Sequence, residues 1–167
     1  DDVVQRAKAL YEKHPDSTDI SGFYADMLST RGENAAAVEI YDRILEAEPN
    51  NNNMRYHKAQ SLMEMGDYKA AKDLFLELNE AIPFNMSIRN GLNEANKKVM
   101  EQYESILKEN PDDFANRYEY AWCLFQNDEE PKAKEVMDVP APEDIAHRCD
   151  YENIHTKLCQ STGDYEG

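Results

Sequence analysis

Apolar residues along this chain advance by threes and fours and stop at prolines, the pattern of short amphipathic helices. Val3, Val4, Ala7, Leu10 and Tyr11 predict a helix that ends at His14-Pro15, because a proline disfavours helical backbone in the residue before it. Thr18 or Asp19 can cap a second helix carrying Ile20, Phe23, Tyr24, Met27 and Leu28; Arg31-Gly32-Glu33 is a turn. A third stripe of Ala37, Ile40, Tyr41, Ile44 and Leu45 closes at Pro49. The same grammar returns with Ala59, Leu62 and Met63, then Ala71, Leu74, Phe75 and Leu78, closing at Pro83.

The next stretch departs from it. Ile88, Leu92, Ala95, Val99, Tyr103 and Ile106 keep helical spacing without a turn signal, which predicts one long helix over 86–109 with Gly91 a tolerated weak point. The alternative is a shortened first helix and a tight turn near Asn93 to Asn96. After Pro111, the residues Phe114, Tyr118, Ala121, Trp122, Leu124 and Phe125 give a first helix, and Asn127 to Glu130 a turn. Pro131 opens a short second helix with Ala133, Val136 and Met137. Pro140-Ala141-Pro142 connects to a last helix over 143–161 with Ile145, Tyr151, Ile154, Leu158 and Cys159, followed by a turn at Thr162-Gly163-Asp164-Tyr165.

These elements repeat at a fixed interval. Gly32 and Gly66, Ala25 and Ala59, Tyr41 and Phe75, and the prolines Pro15, Pro49 and Pro83 are each 34 residues apart. The chain resembles the tetratricopeptide repeat (TPR) family, whose pattern is a small residue in the first helix, Gly-acidic-aromatic at the turn, Ala and then an aromatic in the second helix, and a closing Pro. One unit matches as Ala59, Gly66-Asp67-Tyr68, Ala71, Phe75 and Pro83. The preceding unit matches as Ala25, Gly32-Glu33, Ala37, Tyr41 and Pro49, with Asn34 at the turn aromatic; Ser21 and Arg55 stand at the first-helix Trp.

The resemblance implies an all-α fold, a right-handed α-solenoid of antiparallel helix pairs (a TPR-like superhelix), with one atypical long helix in the middle. A single array is expected over 1–167. It comprises the second helix of a truncated repeat at 1–15, repeats at 18–49 and 52–83, the long helix or shortened repeat at 86–110, a repeat at 113–139, and the first helix and turn of another at 143–167. The phase of both ends reads as a piece of a longer array.

Charge sharpens the functional reading. The net charge is −16, with 11 acids and 5 bases over 1–50, 6 and 7 over 51–100, and 14 and 5 over 101–150. Acidic flanks keep a helical array soluble, favour a basic partner over an acidic one, and argue against nucleic acid or an anionic membrane surface. No apolar run reaches the roughly 18 residues of a spanning helix. Three cysteines leave the fold independent of a disulfide network. A cytoplasmic location is expected.

No catalytic set emerges: phosphate loops, nucleophile elbows and His-Glu-x-x-His helices are absent, so the chain is read as non-enzymatic, without cofactor. His147, Cys149, His155 and Cys159 match no closed zinc spacing, and Cys159 falls at an apolar place, so no metal site is assigned. His14 and His57 read as a helix end and an exposed helix position. Asn85-Met86-Ser87 is a formal glycosylation sequon.

Helix pairs of a solenoid leave first-helix residues on an inner face, where such scaffolds bind extended or helical segments. Phase puts Gly22, Asp26, Tyr56, Gln60, Met63, Tyr118, Trp122, Phe125, Asn153 and Lys157 there. Of these, Asp26, Tyr56, Gln60, Met63, Tyr118, Trp122, Phe125 and Lys157 are the expected partner-binding residues. The chaperone-tail clamp of some family members needs Lys and Asn where Gly22 and Asp26 stand, and cations where Ala115 and Glu119 stand, so that ligand is disfavoured. The resemblance implies a scaffold or adaptor that holds a peptide or helix of a partner protein. The alternatives are a regulatory or substrate-positioning segment of a larger enzyme, and a self-assembly module joined through the open array ends.

Overall fold

The structure, a computed structural model, describes residues 2–162. Among them are nine helices: α1 Asp2–Lys13, α2 Thr18–Thr30, α3 Asn34–Ala47, α4 Asn52–Met65, α5 Tyr68–Ala81, α6 Met86–Glu109, α7 Phe114–Gln126, α8 Glu130–Met137 and α9 Ile145–Thr162. The described residues contain no strand. The chain is all-α, built from antiparallel helix pairs of a TPR-like solenoid, with a long helix in the middle. α6 runs unbroken, and the alternative turn near Asn93 to Asn96 is not formed. The turn expected at 162–165 lies outside the described residues apart from the end of α9.

The chain divides into two compact units between Asn96 and Lys97, within α6. In unit 1, α1 packs on α2, α2 on α3, α3 on α4 and α4 on α5. The turns form because a left-handed residue ends each first helix. Gly66 (φ 81°) donates its N–H to the Met63 carbonyl, and the Asp67 N–H reaches back to Leu62. Gly32 (φ 80°) repeats this with Ser29 and Leu28, and glycine is the residue that takes this conformation without steric cost. Asp67 then caps α5 by accepting from the Ala70 N–H, as Asn51 caps α4 from Met54.

Small residues let the helices approach. Ala25, Ala37, Ala59 and Ala71 are wholly buried, and the large side chains Tyr41, Phe75 and Leu78 fill the space they leave. One cluster joins α1 to α4 around Tyr41, Ile40 and Leu28; another joins α4, α5 and the start of α6 around Phe75, Leu62 and Ile88. Polar atoms in this packing are paired: the Ser21 hydroxyl donates to the Pro15 carbonyl, and the wholly buried Ser61 hydroxyl meets that of Ser29, which donates to Asn34.

Two expectations are corrected. Phe23, placed in the core stripe, is 55% exposed, because α2 buries the face of Ser21, Ala25 and Leu28, on the opposite side of the helix. Gly91 is not merely tolerated: a methyl there would stand 2.6 Å from the Phe75 ring, so the start of α6 packs on that ring only with glycine.

In unit 2, α7 packs on α8, and both pack on α9. Asp113 caps α7 from the Asn116 N–H, and Pro131 lies in the first turn of α8. The turn between them has no glycine; Asp128 takes the left-handed conformation (φ 60°), and the Glu129 N–H returns to Leu124 as Asp67 does to Leu62. Ala121, Leu124, Ala133, Met137 and Ile154 are wholly buried.

Candidate functional site

The predicted partner-binding residues fall into two groups, one in each unit. In unit 1, Tyr56, Gln60 and Met63 lie one helical turn apart on α4 and share a face. Tyr56 and Met63 are half-buried and Gln60 is exposed. The Tyr56 ring stands edge-on to His57 and to Phe75, each at 6.0 Å, and its hydroxyl accepts from Gln60 at 3.3 Å. Tyr56 is therefore anchored at its base on the core ring Phe75 while its tip reaches the surface.

Asp26 comes from α2. The Tyr41 hydroxyl of α3 donates to its Oδ1 at 2.7 Å, and the His57 ring N–H of α4 donates to the same oxygen at 2.6 Å. His57 is thus not the ordinary exposed position that the sequence suggests. It is half-buried, and the link was invisible because Asp26 and His57 are 31 residues apart with no shared motif. Burial pushes the Tyr41 hydroxyl far above the usual phenol range, reinforced by Asp26. Gly22 is corrected as well: it is buried, with the Met54 sulfur 3.0 Å from where a Cβ would be, and offers nothing to a ligand.

In unit 2, Tyr118, Trp122 and Phe125 share one face of α7 at the places that Tyr56, Gln60 and Met63 hold on α4. All three are half-buried, and the Trp122 and Phe125 rings stack with centroids 5.7 Å apart. Their neighbours Tyr120, Ala121, Cys123 and Leu124 take the buried positions, so the aromatic pair is left between core and solvent. Lys157 and Asn153 are exposed on α9.

Two features of unit 2 escaped sequence reasoning. The Tyr120 hydroxyl and Lys132 Nζ both donate to Glu104 Oε1, at 2.5 and 2.6 Å, joining α7 and α8 to the second half of α6. The Lys132 bond, then that of Tyr120, holds the Glu104 carboxyl below the usual range, while burial and Glu104 push the Tyr120 hydroxyl up to about 12. A hollow of about 700 Å³ opens among Pro111, Phe114, Arg117, Pro140 and His147, and none of the predicted residues lines it. No spacing rule links residues so far apart in the chain.

Among the described residues no three His, Cys, Asp or Glu side chains gather as a metal site. The His155 ring lies 3.3 Å from the Met137 carbonyl, and Cys149 is exposed. No described helix is long and apolar enough to cross a membrane.

Residues 28–87, which hold the glycine turns of Gly32 and Gly66, the alanines Ala37, Ala59 and Ala71, and the closing prolines Pro49 and Pro83, match the tetratricopeptide repeat family model. That stretch carries tetratricopeptide repeat sequence. No curated protein matches the chain. Among solved structures it is similar to MamA (residues 41 to the end) from Desulfovibrio magneticus RS-1, at 16% identity, with 99% of this chain and 87% of that one covered and a TM-score of 0.54. It is also similar to a tetratricopeptide repeat protein from Parabacteroides merdae, at 14% identity, covering 98% of this chain and 66% of that one, with a TM-score of 0.51. At these identities the likeness is one of fold, that of TPR-like helical repeats.

Proposed function

We propose that this chain is a protein-interaction scaffold that holds a peptide or helical segment of a partner on its first-helix faces. The observation that carries the reading is the stacked Trp122–Phe125 pair on α7, half-exposed beside Tyr118. Aromatic side chains anchored at one end and wet at the other are the residues that dominate binding energy at interfaces. In unit 1, Tyr56 and Met63 on α4 offer a second such face, with Gln60 and Asp26 as polar contacts; in unit 2, the exposed Lys157 of α9 is a further polar contact. The net charge of −16 favours a basic partner segment.

The test is capture of partners from source-cell lysate by the chain and by a Tyr56→Ala, Tyr118→Ala, Trp122→Ala variant matched for helicity and unfolding midpoint. Loss of a partner only with the variant supports the reading. Equal capture by both would place binding elsewhere and sink it.

A further inference from the structure

The corner where α2, α3 and α4 meet holds a cluster that packing alone does not require. Asp26 Oδ1 accepts two hydrogen bonds from two other helices, from the Tyr41 hydroxyl at 2.7 Å and the His57 ring at 2.6 Å. The side chains of Asp26 and His57 are 38% and 31% exposed, open enough to exchange protons with solvent. Tyr41 and Tyr56 meet the His57 ring edge-on, at 6.3 and 6.0 Å. The other charged groups nearby are engaged: Asp42 of α3 pairs with Lys58 of α4, and Arg55 of α4 reaches Asn52. α5 enters this corner through the Phe75 ring against Tyr56. Asp26 is therefore the one carboxylate that meets the His57 ring among these described contacts.

We propose that His57 is a proton switch for the unit-1 face: protonated, it ties α4 to α2 through a charged bond to Asp26, and unprotonated, it leaves Asp26 an uncompensated negative charge beside the Tyr41 hydroxyl. The bond to Asp26 holds the imidazolium above the ordinary histidine range, against a smaller opposing effect of burial. Burial pushes the Asp26 carboxyl up, but the bonds from His57 and Tyr41 outweigh it and keep it below the usual range. A histidine raised on folding contributes stability fully below its unfolded value of about 6.5, and that stability is lost as pH rises through the folded value. A carboxylate lowered on folding contributes above about 3.9, and that part is lost as pH falls through its folded value. The pair is thus complete between about pH 4 and 6.5, and one unit of charge on this face changes on the alkaline side of that window.

Nuclear magnetic resonance titration of the histidine ring protons in the full chain, from pH 5 to 9, tests this. The resonance absent from His57→Gln is expected to titrate above 6.5, to drop by half a unit or more in Asp26→Asn, and to rise in Tyr41→Phe, where Asp26 has lost its competing donor. The thermal midpoint of the wild type should fall between pH 6 and 8.5 more steeply than that of His57→Gln. A His57 that titrates at or below the ordinary value overturns the proposal, as does one that moves in neither variant. Tyr41→Phe serves where Asp26→Asn fails to fold. No ligand enters the assay, so its failure is distinct from a failure of the docking reading.

Discussion

Two glycines in helices of unit 1 have opposite reasons to be glycine, and substitution should separate them. At Gly91 an added methyl would meet the Phe75 ring at 2.6 Å, and that ring is 2% exposed and backed by Tyr56 at 6.0 Å, so it has nowhere to go. Alanine gains about 1 kcal/mol of helix propensity there, but overpacking costs about 1–3 kcal/mol, and Gly91→Ala is expected to destabilise by about 1 kcal/mol. At Gly22 the nearest atoms are the sulfur and terminal methyl of Met54, at 3.0 and 3.2 Å, the far end of a flexible side chain. Met54 can yield, so Gly22→Ala should be neutral or stabilise by up to about 1 kcal/mol. Urea unfolding midpoints read both; equal shifts of the same sign would refute the account.

Phe84 presents the reverse case of a large residue that the fold does not use. It sits in the left-handed region at φ 71° and is 87% exposed. Left-handed backbone costs a side-chain-bearing residue about 1–2 kcal/mol, and asparagine tolerates it better. Phe84→Asn is therefore expected to raise stability by about 0.5–1 kcal/mol in the same urea assay. A loss would mean that the ring packs.

Among the elements, the turns were the most legible part of the sequence and the buried faces the least. Gly32, Gly66 and the prolines mark where helices stop, because only glycine enters the left-handed region freely and a proline restrains the residue before it. The turn before α8 was placed by its position, but the residue that makes it, Asp128, gives no such signal, since an aspartate is common in any exposed turn. The face of α2 was misjudged for a different reason. Large apolar residues suggested Phe23, whereas the helix approaches its neighbours through Ser21, Gly22 and Ala25, and small residues carry little weight in a hydrophobic pattern. The long α6 was readable because its apolar positions never break step, yet the need for Gly91 was not, since Phe75 lies on another helix. The caps give a prediction at this scale: Asp67 accepts from the Ala70 N–H at the start of α5, so Asp67→Ala should cost about 1 kcal/mol while Asp67→Asn costs little. Chemical denaturation distinguishes the two, and equal losses would show that the charge rather than the cap matters.

For the molecule as a whole, the imbalance of charge outweighs its individual pairs. Several described ion pairs are exposed and four residues apart on one helix, such as Arg6–Asp2, Lys8–Glu12 and Arg148–Glu152, and each such pair contributes about 0–1 kcal/mol. Screening them therefore sacrifices little. A net charge of −16 repels itself throughout the fold, and salt weakens that repulsion as the Debye length shrinks to about 10 Å at 0.1 M. Raising sodium chloride from about 0.02 to 0.3 M should lift the thermal midpoint by about 2–4 °C, equivalent to about 1 kcal/mol for a chain of this size. The gain should be uneven. Residues 101–150 carry 14 acids against 5 bases, while 51–100 carry 6 against 7, so amide exchange in α7 and α8 should slow with salt more than in α4 and α5. A midpoint that falls with salt would mean that specific pairs, Glu104 with Lys132 foremost, hold the fold more than its net charge strains it.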